Sequence, residues 1–134
     1  MPSRTALTTM NNILAILREL DEDMPIQQAH LFITVAMRPG ITAQQASEVT
    51  GISQSSTSRN VKALGEVHRL NKPGLDLIEG VSDPNDSRSK LLFLTIKGRA
   101  IARQIISQID PTADVSDYSL PTAKDWQRGA FRGR

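Results

Sequence analysis

Between residues 54 and 62 the chain places Gln54, Ser55, Ser56, Ser58, Arg59 and Lys62, short hydrogen-bonding side chains first and cations after them. At 100° per residue Gln54, Ser55, Ser58, Arg59 and Lys62 share one side of a helix, with Ser56 beside them in the first turn and Val61 and Leu64 opposite. Short polar groups tolerate close approach to a base edge, a glutamine amide matches adenine, and arginine suits guanine or phosphate. The same face also suits plain solvation, because a serine-rich helix start is good capping chemistry. Farther on, Asp83, Asp86, Arg88 and Lys90 gather carboxylates and cations in one polar segment. Asp83-x-Asn85 has the opening spacing of a calcium loop, but Arg88 stands where glycine is required and Leu94 where a bidentate glutamate is required. No calcium site is expected. His30 and His68 fall in separate elements without a carboxylate or nucleophile at motif spacing, and there is no glycine-rich phosphate loop. The absence of cysteine excludes disulfides, thiolate metal clusters and a cysteine nucleophile. The pattern predicts neither an enzyme nor a metal or cofactor site.

The elements that must position these residues are set by periodicity and punctuation. Leu7, Met10, Ile13, Leu14, Leu17 and Leu20 recur at spacings of three and four, which predicts a first helix over residues 5–20 with a wide apolar stripe. Asp21-Glu22-Asp23 ends it. Pro25 opens a second helix with Ala29, Phe32, Val35 and Ala36 on one face, and Pro39-Gly40 stops it. Thr42 and Gln45 form a Thr-x-x-Gln capping box for a short third helix that Gly51 terminates. Ser53 caps a fourth helix running to about Glu66, anchored by Ile52, Thr57, Val61 and Leu64, while Ser47 is small enough to let the two helices cross closely. Then the pattern changes. Leu75 and Leu77 alternate with Asp76 up to Ile78-Glu79-Gly80, a polar stretch from Ser82 to Lys90 reads as a long loop, and Leu91-Leu92-Phe93-Leu94 reads as a second strand. Thr95 caps a last helix with Ala100, Ile101, Ile105, Ile106 and Ile109 apolar, closed by Asp110-Pro111. A short helix, a glycine turn and a helix beginning with small polar residues is the helix-turn-helix arrangement, whose second helix occupies a DNA major groove.

A two-stranded hairpin after a helix-turn-helix is the wing of a winged-helix domain, and here the residues carry a family resemblance. Asp83-Pro84-Asn85-Asp86-Ser87-Arg88 followed by Leu94-Thr95-Ile96-Lys97-Gly98-Arg99 resembles the wing signature of MarR-type transcriptional regulators, D-x-R and then L-T-x-x-G. Ile41-Thr42 through Gly51-Ile52-Ser53 to Arg59 and Leu64 is similar to that family's helix-turn-helix in register, so the resemblance spans about residues 10–109. It implies a mainly α winged helix-turn-helix with two or three short antiparallel strands, and a homodimeric regulator that binds double-stranded DNA. It further implies that Arg88 enters a minor groove, where narrow walls concentrate negative potential, and that Asp86 supports the wing. Many such regulators respond to a small-molecule effector, though no ligand residues are identifiable here. The sequence departs from the family at Thr57 and Asn60, where aliphatic residues are usual, and in a long interval from Val67 to Gly74 that holds Arg69 and Lys72. The other reading is a winged-helix shell that docks on protein, as an inhibitor or adaptor of a polymerase or regulator. The cations Arg59, Lys62, Arg88 and Lys90, with no aromatic among them, favour phosphate over a protein surface.

The 134 residues suit one core, expected over residues 1–110. Apolar residues are 39% and charged residues 22%, a globular balance, and no apolar run approaches the roughly 20 residues of a membrane span. With no export signal evident, a cytoplasmic protein is expected. The net charge of +2 says little, but its distribution says more: Lys124, Arg128, Arg132 and Arg134 face only Asp125 near the end of the chain. This basic stretch suits either a phosphate contact or an ordinary solvated terminus. Residues 111–134 are expected to be an extended, loosely attached or disordered basic tail.

Overall fold

A computed structural model describes residues 3–66, residues 73–113 and Ala123. In order these residues form α1 (Ser3–Leu20), α2 (Ile26–Met37), β1 (Ile41–Thr42), α3 (Ala43–Thr50), α4 (Gln54–Leu64), β2 (Ile78–Asp83), β3 (Asp86–Leu94) and α5 (Ile96–Ile109). No helix among them is long and apolar enough to cross a membrane. His68, Arg69 and Lys72, and the basic residues Lys124, Arg128, Arg132 and Arg134, lie outside the described residues.

Helix α2 is the hub. Its residues Leu31, Phe32 and Val35 are fully buried, and Gln28, Thr34 and Ala36 join them, while Ile26, Gln27, His30 and Met37 leave one side open to solvent. Around it lie Ile13 and Leu17 of α1, Ala46 of α3, Leu64 of α4, and Ile101, Ala102 and Ile105 of α5. The sheet closes the core from one side with Ile41, Ile78, Leu92 and Leu94. The wide stripe expected on α1 splits in two. Ile13 and Leu17 enter the core, whereas Leu7, Met10 and Leu14 stay exposed, because α5 alone is too narrow to cover both sides of α1.

The three antiparallel strands run in the order β1-β3-β2, with Ile41 opposite Leu92 and Ile78 opposite Leu94. Two expectations are corrected here. The long loop over Ser82 to Lys90 is instead the continuation of both strands, joined by Pro84-Asn85, whose turn is closed by the Asn85 amide donating to Asp83 Oδ1 at 2.9 Å. A hairpin projecting into solvent has no buried face, so it shows no apolar alternation. Conversely, Leu75 and Leu77 precede the strand. The amides of Leu75, Asp76 and Leu77 donate to the carbonyls of Ala63, Gly65 and Leu64, which occupies those donors and satisfies the open end of α4. Helix α4 accordingly stops at Leu64 instead of near Glu66.

The run Leu91-Leu92-Phe93-Leu94 is apolar on both faces because both faces are covered. Leu92 and Leu94 point to the helices, while Leu91 and Phe93 form a second small cluster with Val81 and Ala123. Ala123 is only 7% exposed, and the rest of residues 114–134, expected to be extended, loosely attached or disordered, lie outside the described residues. The motif Thr95-x-x-Gly98 also has a packing cause. Thr95 Oγ1 accepts the Gly98 amide at 3.0 Å and donates to the Asp76 carbonyl at 2.6 Å, and a Cβ on Gly98 would collide with the Leu77 carbonyl.

Candidate nucleic-acid interface

The turn between α3 and α4 is built as its sequence requires. The Thr42 hydroxyl accepts the Gln45 amide at 3.1 Å, and the Gln45 side chain accepts the Thr42 amide at 3.0 Å, which completes the capping box. Gly51 adopts the left-handed conformation at φ 77°, and its amide reaches the Ser47 carbonyl. Ser47 is buried, and its hydroxyl donates to the Ile52 carbonyl at 2.5 Å, pinning the two helices together across the turn. Thr57, with 0% exposure, directs its hydroxyl to the same carbonyl at 3.5 Å, so a threonine serves where an aliphatic residue is usual. Asn60 is likewise tied down. Its Nδ2 donates to the Ser56 carbonyl and to Gln27 Oε1, and its Oδ1 accepts from Gln28 Nε2, which sews α4 onto α2.

With that side fixed, Gln54, Ser55, Ser58, Arg59 and Lys62 are open to solvent to varying degrees, as the helical wheel requires. Ser53 caps the helix by accepting the Ser56 amide at 3.1 Å. Ser56 differs from its neighbours. It is half-buried, and its hydroxyl accepts from Arg59 Nη2 at 3.0 Å, so it orients the guanidinium instead of standing free at the surface.

The wing brings Asp86, Arg88 and Lys90 together around a local irregularity. Ser82 pairs with Lys90 but the next residue, Asp83, pairs with Asp86, which leaves Ser87, Arg88 and Ser89 as an excess in β3. Asp86 ties this bulge down. Its Oδ1 accepts the Arg88 amide at 3.0 Å, its Oδ2 accepts the Ser89 hydroxyl at 3.1 Å, and the Arg88 Nε lies 3.8 Å from the carboxylate. The Arg88 side chain is nonetheless 94% exposed, held at its root and free at its tip. Ser89 gives no signal in the sequence, since a serine in a polar stretch is unmarked until the bulge sets it beside Asp86. Lys90 shares the face of Leu92 and lines a cleft of about 320 Å³ with Val61 and Gly65, which places it beside the C-terminal end of α4. A second cleft of about 460 Å³ joins Thr42 and Gln44 of the α3 start to Asp86, Arg88 and Lys90. Helix-turn-helix and wing are therefore contiguous. Among the described residues no group of histidines and carboxylates is arranged to hold a metal ion.

No family model matches the sequence, and no curated protein matches it either. Solved structures do match in three dimensions. A mutant MepR of S. aureus bound to an oligodeoxyribonucleotide superposes with a TM-score of 0.62 at 18% identity, covering 93% of this chain and 85% of that one. The fold is that of the MarR-type winged helix. The transcriptional regulator PcaV from Streptomyces coelicolor gives 0.55 at 23% identity over 98% of this chain and 90% of its own. FabT of Streptococcus pneumoniae, solved in complex with DNA, gives 0.56 at 20% identity over 93% and 86%. The MarR-type architecture thus covers nearly all of the chain, including the hairpin that carries Arg88.

Proposed function

We propose that this protein is a transcriptional regulator that binds double-stranded DNA in a sequence-specific manner. Helix α4 enters the major groove with Gln54, Ser55 and Ser58 toward the base edges, Arg59 and Lys62 reach bases or phosphates, and the wing sets Arg88 in the adjacent minor groove with Lys90 behind it. The observation that carries this reading is the pairing of a rigidly held α4, polar and cationic on its open side, with a bulged wing whose outstretched cation Arg88 is anchored at its backbone by Asp86. Solved proteins of the same fold in complex with DNA support it. The docking module for a protein partner is disfavoured, because no aromatic side chain is exposed among the described residues of this face. We further propose a homodimer, the cytoplasm as its location, and half-sites about 34 Å apart, one helical turn. The contact surface is Leu7, Met10 and Leu14 of α1 with Ile109 of α5, apolar residues left exposed where the Asn12 amide meets Gln108 Oε1 at 3.2 Å.

The test is a titration of a labelled mixed-sequence duplex against the full chain, read by fluorescence anisotropy at several salt concentrations. Binding whose log affinity falls linearly with log salt is expected. No binding even at low salt would reject the reading.

A further inference from the structure

Helix α2 keeps an apolar line on the side that the core does not use. Ile26 is 85% exposed and Met37 is 73% exposed, His30 is open to solvent, and Ile33 is only partly covered. At 100° per residue these four fall within about 60° of one another, so they form a single stripe along the helix. Single apolar residues at a surface need no explanation, but a line of them running the length of a helix is the pattern of a packing seam. The stripe is separate from the α1 and α5 surface proposed above, since Leu7, Met10, Leu14 and Ile109 all lie outside α2.

The spacing of the stripe indicates what covers it. Ile26 and Met37 lie equally far from the midpoint between Leu31 and Phe32, and so do His30 and Ile33. Two copies of α2 crossing antiparallel on a two-fold axis at that midpoint therefore set Ile26 against Met37 and His30 against Ile33, each twice. The charges follow the same symmetry. Arg38 stands at the C-terminal end of the stripe and Asp23 just before its N-terminal end, both exposed and neither in an ion pair among the described residues. Antiparallel packing brings Arg38 of each copy toward Asp23 of the other, whereas parallel packing sets like charges together. Beside Arg38, Val49 of α3 is 49% exposed and lines a cleft of about 390 Å³, which offers the opposing Ile26 an apolar edge. We propose that the α2 stripe is a second self-association face, on which two copies of this chain pack antiparallel through Ile26, Ile33 and Met37. Helix α2 has 12 residues and is about 18 Å long, too short to bury the area of a stable dimer, so the contact is weak and depends on concentration. Two different two-fold faces on one chain join dimers into a row.

The experiment exploits the absence of cysteine from the chain. Full-length Ile26→Cys and Met37→Cys proteins are treated with a short bismaleimide, separately and mixed, and linked pairs are measured on a denaturing gel. The mixture is expected to give linked pairs well above either protein alone, because the register sets position 26 against 37 and holds like positions roughly 16 Å apart. The excess should persist when both proteins also carry Leu14→Glu, which disrupts the α1 and α5 surface. In sedimentation equilibrium the parent is expected to exceed the mass of two chains as its concentration rises, and Met37→Glu to stay at two with an unchanged unfolding midpoint. Equal linkage in the mixture and in the separate proteins overturns the antiparallel register. Linkage that vanishes with Leu14→Glu overturns the separate face, since the contact then belongs to α1 and α5. A parent that never exceeds two chains overturns the proposal and leaves the stripe to a different protein.

Discussion

Arg88 and Asp86 show what a pair of residues contributes when one is exposed and the other holds it. An exposed ion pair contributes at most about 1 kcal/mol, so Asp86 matters chiefly through the Arg88 amide and the Ser89 hydroxyl that it accepts. Arg88→Ala is expected to reduce the salt slope of DNA binding by about one, the value for one lost phosphate contact. Asp86→Ala should weaken binding although Arg88 remains, and Asp86→Asn, which keeps one carbonyl acceptor, should lie between. Equal affinities for all four proteins would show that the wing does not touch DNA. Gln54→Ala should alter base preference among selected duplexes more than affinity for mixed sequence, measured by competition. The open side of α4 was legible in the sequence because helical periodicity alone decides which side chains share a face. Ser56 was not, since its hydroxyl is committed to Arg59 through a contact that spacing permits but does not require. The net of Asn60, Gln27 and Gln28 was hidden for another reason: it exists only once α2 and α4 cross.

Helix boundaries obey local chemistry, and each cap has a measurable consequence. Thr42→Ala removes the hydroxyl that accepts the Gln45 amide, leaving only the backbone half of the capping box, and is expected to cost about 1 kcal/mol in denaturant unfolding. Gly98→Ala forces a Cβ into the Leu77 carbonyl, and the shift of α5 against the base of the wing should cost about 3 kcal/mol or more. An unfolding midpoint unchanged in Gly98→Ala would mean that α5 is not packed as described. At the start of β2, burial pushes the Glu79 carboxyl above its usual range, with the Asp76 carboxylate as the lesser cause. The folded state thus holds this proton more tightly than the unfolded chain. The stability it contributes is present below the ordinary carboxylate pKa and is lost as pH rises through the raised value. Glu79→Gln is expected to flatten that part of the pH–stability profile, by less than about 0.5 kcal/mol because the side chain is largely exposed. The capping box, the glycine turn and the ends of α2 and α5 could be read from sequence because their signals lie within a few residues. The wing strands could not, because a hairpin in solvent lacks the alternation that marks a half-buried strand. Nor could the Leu75–Leu77 segment, whose amides are claimed by the end of α4.

At the scale of the molecule, the winged-helix architecture was legible from the order of elements and the paired motifs around Arg88 and Gly98, and the solved structures of the same fold agree over nearly the whole chain. The role of Ala123 was invisible, because an alanine in a polar stretch gives no sign of which distant strand it covers. The exposed residues Leu7, Met10, Leu14 and Ile109 define a surface that a second copy is expected to bury. Leu14→Glu should therefore yield a monomer by light scattering with little loss of monomer stability, since Leu14 is outside the core, and it should weaken binding to a two-half-site duplex far more than to a single half-site. The most direct measurement of the central claim is selection of bound duplexes from a random pool, with the mass of the selected complex determined. Enrichment of a two-fold symmetric site, with half-sites about one helical turn apart and two chains per duplex, is the expected result. Retention that disappears with salt and enriches no sequence would contradict it, leaving a basic surface without a code.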